Sequence, residues 1–322
     1  MRKEVLVTGL FVFLGALVND TFAQDRLPII DMHLHSYDET TYAAFPDQFG
    51  EMAPPSVEAH FNATYDSLRR HNIVLGVVSG SVASEEAWIE KDEDGRLLRG
   101  FSSSNLRDVT PEAFEALVKD GNVDVFGEIG AFYQGKTLAD PFYDPYLKIC
   151  EKYGIPVAIH TGGGPPNTTD FAPEARLVLG NPLLIEDVLV RYPNLRIYMM
   201  HSGVAWFREA LQLMLSHPHV YTDLGVVLWV HPSAMYYGRE FLVRAKEFGM
   251  LDRVMFGSDQ MMWPHGIDAS IERLESFNFL TEEEKRDVLY NNAARFLGLS
   301  EEQIAEHHRR RKAESGESGV TH

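Results

Sequence analysis

With 322 residues, 45% of them hydrophobic, the chain can bury a large core; this excludes a disordered or fibrous protein and leaves two domains or one α/β barrel of about 250 residues. A net charge of −18 repels phosphate backbones, so nucleic acid is not an expected partner, and the charge is unchanged without residues 1–23, where Arg2 and Lys3 balance Glu4 and Asp20. The single cysteine, Cys150, rules out an intrachain disulfide and a cysteine-built metal site; its helical surroundings, DPYLKICEKY, mark a buried structural thiol.

Residues 1–23 have the three-part layout of a secretory signal peptide: Arg2 and Lys3, an apolar run from Val5 to Val18, and Thr21-Phe22-Ala23 before the polar Gln24-Asp25. The apolar run is shorter than the ~20 residues a spanning helix needs. No cysteine near residue 23 offers a lipid anchor, so the expectation is an exported protein, periplasmic or secreted, without a stable membrane anchor.

The first strand signal follows at once. Leu27 to Ser36 (LPIIDMHLHS) is an apolar run ending in His33-x-His35, and in an extended strand that spacing aims both imidazoles at the same side. Seven more short apolar, β-branched runs recur along the chain: Asn72 to Gly80, Leu97 to Asn105, Val123 to Gly130, Ile155 to Gly163, Leu195 to Gly203, His219 to Val226 and Asp252 to Gln260. Between them lie helical patterns. Ser56 to His71 has apolar positions at helical spacing, Pro111 to Lys119 follows Thr110 as N-cap, and Leu183 to Tyr192 precedes the sixth run. Thr281 with Glu284 forms a capping box that opens a last helix, Glu282 to Leu297, closed by Gly298. Eight strands alternating with helices, without a linker or composition break, predict one (β/α)₈ TIM-like barrel over residues 24–306. From His307 the chain turns basic and then Ser/Gly/Glu-rich (HHRRRKAESGESGVTH), and 307–322 are expected to form a disordered tail.

Four further strand ends carry residues that bind hard or borderline metals: Glu128 in FGEIG, His160 in VAIHTGG, His201 in YMMHSG and Asp259 in FGSDQ. With His33 and His35, five strand ends out of eight present potential ligands at their carboxyl ends, which in this barrel converge on one mouth. A lone histidine would be read as a core residue; the joint placement reads as a metal centre. Arg107 after the third strand, Trp229 and His231 after the seventh, and Trp263 and His265 after the eighth lie on loops expected to rim that mouth. Arg107 has the geometry to pair with a substrate carboxylate or to form a rim salt bridge, and the tryptophans to wall a cyclic substrate or to pack under a loop. The Thr161-Gly162-Gly163-Gly164-Pro165-Pro166 run lacks the Lys and Ser/Thr of a phosphate loop.

From Leu27 to about Leu299, with the strand-end set, the GSD of strand eight and the closing Asn291-Asn292-Ala293-Ala294-Arg295-Phe296-Leu297 segment, the chain resembles the amidohydrolase superfamily in its amidohydrolase-2 branch. The resemblance implies that His33, His35 and Asp259 hold one divalent ion, that His160 and His201 face a second position, and that Glu128 stands where a bridging carboxylate is found in binuclear members. Members with a single ion use the first pair, the strand-five histidine and the strand-eight aspartate, and His201 then orients nucleophile or substrate. One or two ions are therefore expected, zinc first, with manganese or iron not separated from it by ligand type.

Such an ion lowers the pKa of water from 15.7 to about 7 and polarises a carbonyl. Asp259 would then take the proton of the attacking water and return it to the leaving group, with His201 beside it. The leading expectation is a metal-dependent hydrolase of a small-molecule amide, lactone or ester-like bond. The competitor is a non-oxidative, metal-dependent decarboxylase of an unsaturated or aromatic acid, which the resemblance associates with one ion and no such glutamate. A non-catalytic ligand-binding barrel is disfavoured because no ligand of the set is missing. The resemblance also implies homodimers in many members.

Overall fold

The computed structural model describes residues 27–314, with side chains described through 310; the expected leader and residues 315–322 lie outside that range. Eight strands follow in order: β1 (Ile29–His35), β2 (Ile73–Gly80), β3 (Leu97–Phe101), β4 (Val125–Ile129), β5 (Val157–His160), β6 (Ile197–Met200), β7 (Tyr221–Asp223) and β8 (Val254–Met255). Each pairs in parallel with the next in sequence. The circle is joined where Met32 N–H donates to Phe256 O and Asp259 N–H to His33 O, at 3.0 and 2.9 Å. All eight predicted runs contain their strand, and each strand is shorter than its run because the end residues turn out into the loops.

Strands with both faces covered need apolar side chains on both. Ile30, Met32, Val74, Ala158, Tyr198, Met200 and Met255 form an inner cluster, while Leu34, Val78, Phe126, Ile159, Ile197 and Met199 pack outward against the helices. The Tyr198 hydroxyl crosses the interior to Met32 O at 3.0 Å, which satisfies a polar atom with no access to water. Tyr290, Ala293 and Phe296 join the inner cluster; Arg196 just before β6 donates to Phe296 O, and the Asn292 amide donates to Val254 O at the start of β8. This segment therefore covers the strand starts and leaves the strand ends free.

The helices over 57–70 and 111–119 form as read, capped by Ser56 and Thr110, and Thr281 with Glu284 makes both capping-box bonds. Cys150 is fully buried. The expected helix over 183–192 is a 3-10 turn at Pro182–Ile185 followed by an α-helix at Glu186–Arg191. The expectation of disorder from His307 is corrected for its first part. A helix runs over Glu301–Glu314: Ile304 packs on the inner cluster, His307 is buried against the Tyr290 hydroxyl, and Arg310 donates to Asp94 O. A histidine inside a basic run supplied the foothold that a count of apolar residues overlooks.

Candidate metal centre

His33 and His35 leave β1 on one face, and their Nε2 atoms are 3.2 Å apart. Around them stand Glu128 from β4, with Oε2 at 3.4 Å from His35 Nε2 and 3.7 Å from His33 Nε2, and Asp259, with Oδ1 at 3.0 and 3.7 Å from the same atoms. The other oxygen of Glu128 faces a second pair. Oε1 lies 2.6 Å from His160 Nδ1 and 3.5 Å from His201 Nε2, and those two nitrogens are 3.0 Å apart. All six residues named from the strand ends thus meet in one cluster.

The backbone is bent to bring two of them in. His201 has φ 66° and Asp259 φ 49°, left-handed conformations in which a side chain crowds its own carbonyl. Such strain persists only where the surroundings over-determine it. Gly225 shows how tight they are: a Cβ there would lie 2.7 Å from His33 Nδ1 and 3.1 Å from both Asp259 Cβ and His201 Nδ1.

Three polar residues that the strand-end search passed over hold the cluster in place. Asp31 Oδ1 accepts from the His33 and Ser258 amides at 3.0 and 2.9 Å, and complete burial raises its carboxyl to about 6 against those bonds. The Gln260 side chain clamps His35 at both backbone atoms, accepting from N at 3.0 Å and donating to O at 2.9 Å. Asp223, the last residue of β7, sits 3.1 Å from His33 Nδ1. Asp31 was legible only by its two-residue spacing from His33, since the strand is irregular between Asp31 and Leu34, and Asp223 as a sixth polar strand end.

Burial by itself would keep acids in the cluster neutral, yet Asp259 and Glu128 lie low. For Asp259 the penalty of burial is outweighed by His33, His35 and His201, which bring it down to about 2, and Glu128 is held well below the carboxylate range by the hydrogen bond from His160 and by the nearby rings of His201 and His33. Burial lowers His33, but Asp259, Asp223 and Glu128 push it well above the histidine range. Burial and the neighbouring His201 depress His160. Anions gathered this closely call for cations, either protonated rings or a metal.

The donor chemistry fits a metal. His33, His35 and Glu128 form one set able to hold an ion, and Glu128, His160 and His201 another. The buried His160 Nε2 has no hydrogen-bond partner among the described residues, a cost that a bound substrate would remove.

Of the five expected rim residues, only Arg107 lines the cleft. It lies on a 3-10 turn after β3, exposed and without an ion pair among the described residues, on a cleft of about 590 Å³ that also includes Ser102, Glu128, Tyr133, Phe171 and Glu174. The others are placed elsewhere. Trp229 and Trp263 are buried together with Ala53, and their indoles donate to Ser258 O and Phe45 O. His265 meets Asp47 at 3.1 Å, and exposed His231 caps the helix Pro232–Glu247. Packing under the loops claimed the aromatic rings before any substrate.

A family model described as amidohydrolase matches residues 30–299. The chain belongs to the amidohydrolase family, in its amidohydrolase-2 branch. Among curated proteins it is 24% identical over 163 residues to protein fluG of Emericella nidulans, a match that takes in 46% of this chain and 18% of that one. The chain therefore spans under a fifth of that relative's length in the match. A TIM-barrel protein from Bordetella bronchiseptica superposes with TM-score 0.64 at 21% identity, over 87% of this chain and all of the other. A probable 2-pyrone-4,6-dicarboxylic acid hydrolase from Acinetobacter baumannii gives 0.59 at 18%, over 84% and 99%. The 5-carboxyvanillate decarboxylase of Sphingomonas paucimobilis gives 0.52 at 13%, over 85% and 100%. At these identities the structural likeness speaks for the fold alone.

Proposed function

We propose that this protein is a metal-dependent hydrolase that opens an amide, lactone or ester-like bond in a small molecule. The observation that carries the reading is Glu128, which turns Oε2 to the His33–His35 pair and Oε1 to the His160–His201 pair. A carboxylate shared between two donor sets suits two ions, a common arrangement in hydrolytic sites. His33, His35 and Asp259 would hold one ion, His160 and His201 the other, and Glu128 both. A bound divalent ion, zinc or alternatively manganese or iron, supplies Lewis acidity to water and to the scissile carbonyl. The chain's own part is proton transfer: Asp259, ionised beside His35, accepts the proton of the attacking water and returns it to the leaving group. His201, whose Nδ1 meets Gly225 O at 3.3 Å and lies 3.6 Å from Asp259 Oδ2, stands beside that carboxylate and favours its charged form.

A second reading is non-oxidative decarboxylation of an unsaturated or aromatic acid. Arg107 favours it, since a guanidinium on the cleft with no ion pair among the described residues is suited to a carboxylate. Metal content per chain of the wild type and of Glu128→Gln, with parallel assays for proton release from lactones, amine release from amides and CO₂ from aromatic acids, separates the two. Two ions falling to one, with hydrolysis, supports the first reading; one ion in both proteins, with CO₂ release, replaces it by the second.

Residues 1–23, which support export, lie outside the described residues, and no described helix is long and apolar enough to cross a membrane. On the leader pattern we propose a periplasmic or secreted location, and on the branch's habit a homodimer. N-terminal sequencing of the exported protein, expected to begin near Gln24, and its mass in solution test the two.

A further inference from the structure

We propose that Asp223 is the positioning residue that fixes the ring of His33 and the backbone of His201 together, so that the two donor sets keep one spacing. The inference rests on the metal-dependent reading above. Asp223 is fully buried at the end of β7 and has no exposed surface through which to act on substrate. Its Oδ1 accepts from the amides of His201 and Gly225 at 2.8 and 2.9 Å. Its Oδ2 lies 3.1 Å from His33 Nδ1. A carboxylate whose Oδ1 already accepts two amide hydrogens is set to accept at Oδ2 as well, which places a ring proton on Nδ1. With an ion in place of the second ring proton, the Nε2 lone pair would face the side of His35, Glu128 and Asp259, the direction a ligand needs.

The same carboxylate holds the amide of His201 at the residue whose φ is 66°. Bonds of this kind make a strained conformation affordable, and here the tether runs to the first ligand of the other set. Gly225 closes the arrangement by bringing its backbone against both rings without a side chain.

Asp223→Asn separates this role from a merely structural one. Two backbone N–H groups demand an oxygen at Oδ1, so the amide nitrogen must face His33. Nδ1 of the ring then becomes the acceptor, and the proton moves to Nε2, into the donor cluster. The shape of the residue is kept while the tautomer is reversed.

The test is zinc affinity, by competition with a chromophoric chelator, for the wild type, Asp223→Asn and His33→Ala, with ¹⁵N shifts of the His33 ring in the zinc-loaded proteins. The expected result is zinc bound through His33 Nε2 with a proton on Nδ1 in the wild type, and affinity lowered about 10–100-fold in Asp223→Asn. Wild-type affinity in Asp223→Asn overturns the inference and leaves the functional reading standing. Zinc bound through His33 Nδ1 also overturns it, since Asp223 would then belong to a ligand set with His33 and His201. A wild-type protein that takes up no zinc, manganese or iron overturns both. The wild-type spectrum decides the tautomer even where the Asn variant does not fold.

Discussion

On the side of β1, β7 and β8 the barrel mouth is closed by packing: Trp263 stands edge-on to Phe45 with ring centroids 5.1 Å apart, Trp229 lies beneath it, and His265 joins the loop after β8 to Asp47. On the side of β3, β4 and β5 the loops stand apart, and Arg107, Tyr133 and Phe171 line an open cleft that reaches Glu128. His33, His35 and Asp259 come from the closed side, where Asp31, Gln260 and Asp223 fasten them; Glu128 and His160 come from the open side. Rigid support and access are thus assigned to different arcs of one ring of strands, which lets donors stay fixed while substrate enters from across the barrel.

The sharpest test of this division removes the closed side's donors. His33→Ala with His35→Ala is expected to abolish binding of at least one ion and to lower turnover by more than the ~10–100-fold cost of an outer-shell change. Far-UV circular dichroism should stay that of a folded barrel, because the rings sit at the mouth; unchanged metal content would refute the site. Asp259→Asn comes next, with turnover expected to fall about 10²–10⁴-fold while metal occupancy falls far less. Equal losses would reduce Asp259 to a ligand.

Trp263→Ala should cost about 3–5 kcal/mol in urea denaturation, as large-to-small changes in a packed cluster do, with KM within twofold of wild type. A large KM effect with intact stability would move the substrate to the closed side. Arg107→Ala should do the reverse: an unchanged Tm, and KM raised about 10-fold for carboxylate-bearing substrates only.

The smallest effect concerns acid. Partial burial raises the Asp47 carboxyl, but the Glu51 and Phe49 amides and His265 outweigh it and hold it below its ordinary value of 3.8. A depressed folded value means that the stability is present above 3.8 and is lost as pH falls through the lower value in the folded protein. Asp47→Asn should therefore flatten the acid end of a Tm-against-pH curve, and an unchanged curve would show that the strap over Trp263 is held by its aromatic contacts alone.

The barrel was legible because apolar runs recur eight times with helical patterns between them, and six donors were legible because they stand at the ends of five such runs. What escaped reading depends on pairs distant in sequence. Gln260 serves His35 across 225 positions and Asp223 serves His33 across 190. Nothing in either neighbourhood marks the bond, although Asp223 ends a run as His160 does. Trp229 and Trp263 were ambiguous for a related reason: a large ring on a loop packs against whatever loop folds over it, and that neighbour, Phe45 with Ala53, comes from the other end of the chain.

The left-handed backbone at His201 and Asp259 bears on how such a barrel changes over generations. Glycine would be the lower-energy occupant of both positions, since it has no Cβ to crowd the carbonyl, so a substitution that relaxes the chain there also deletes the chemistry.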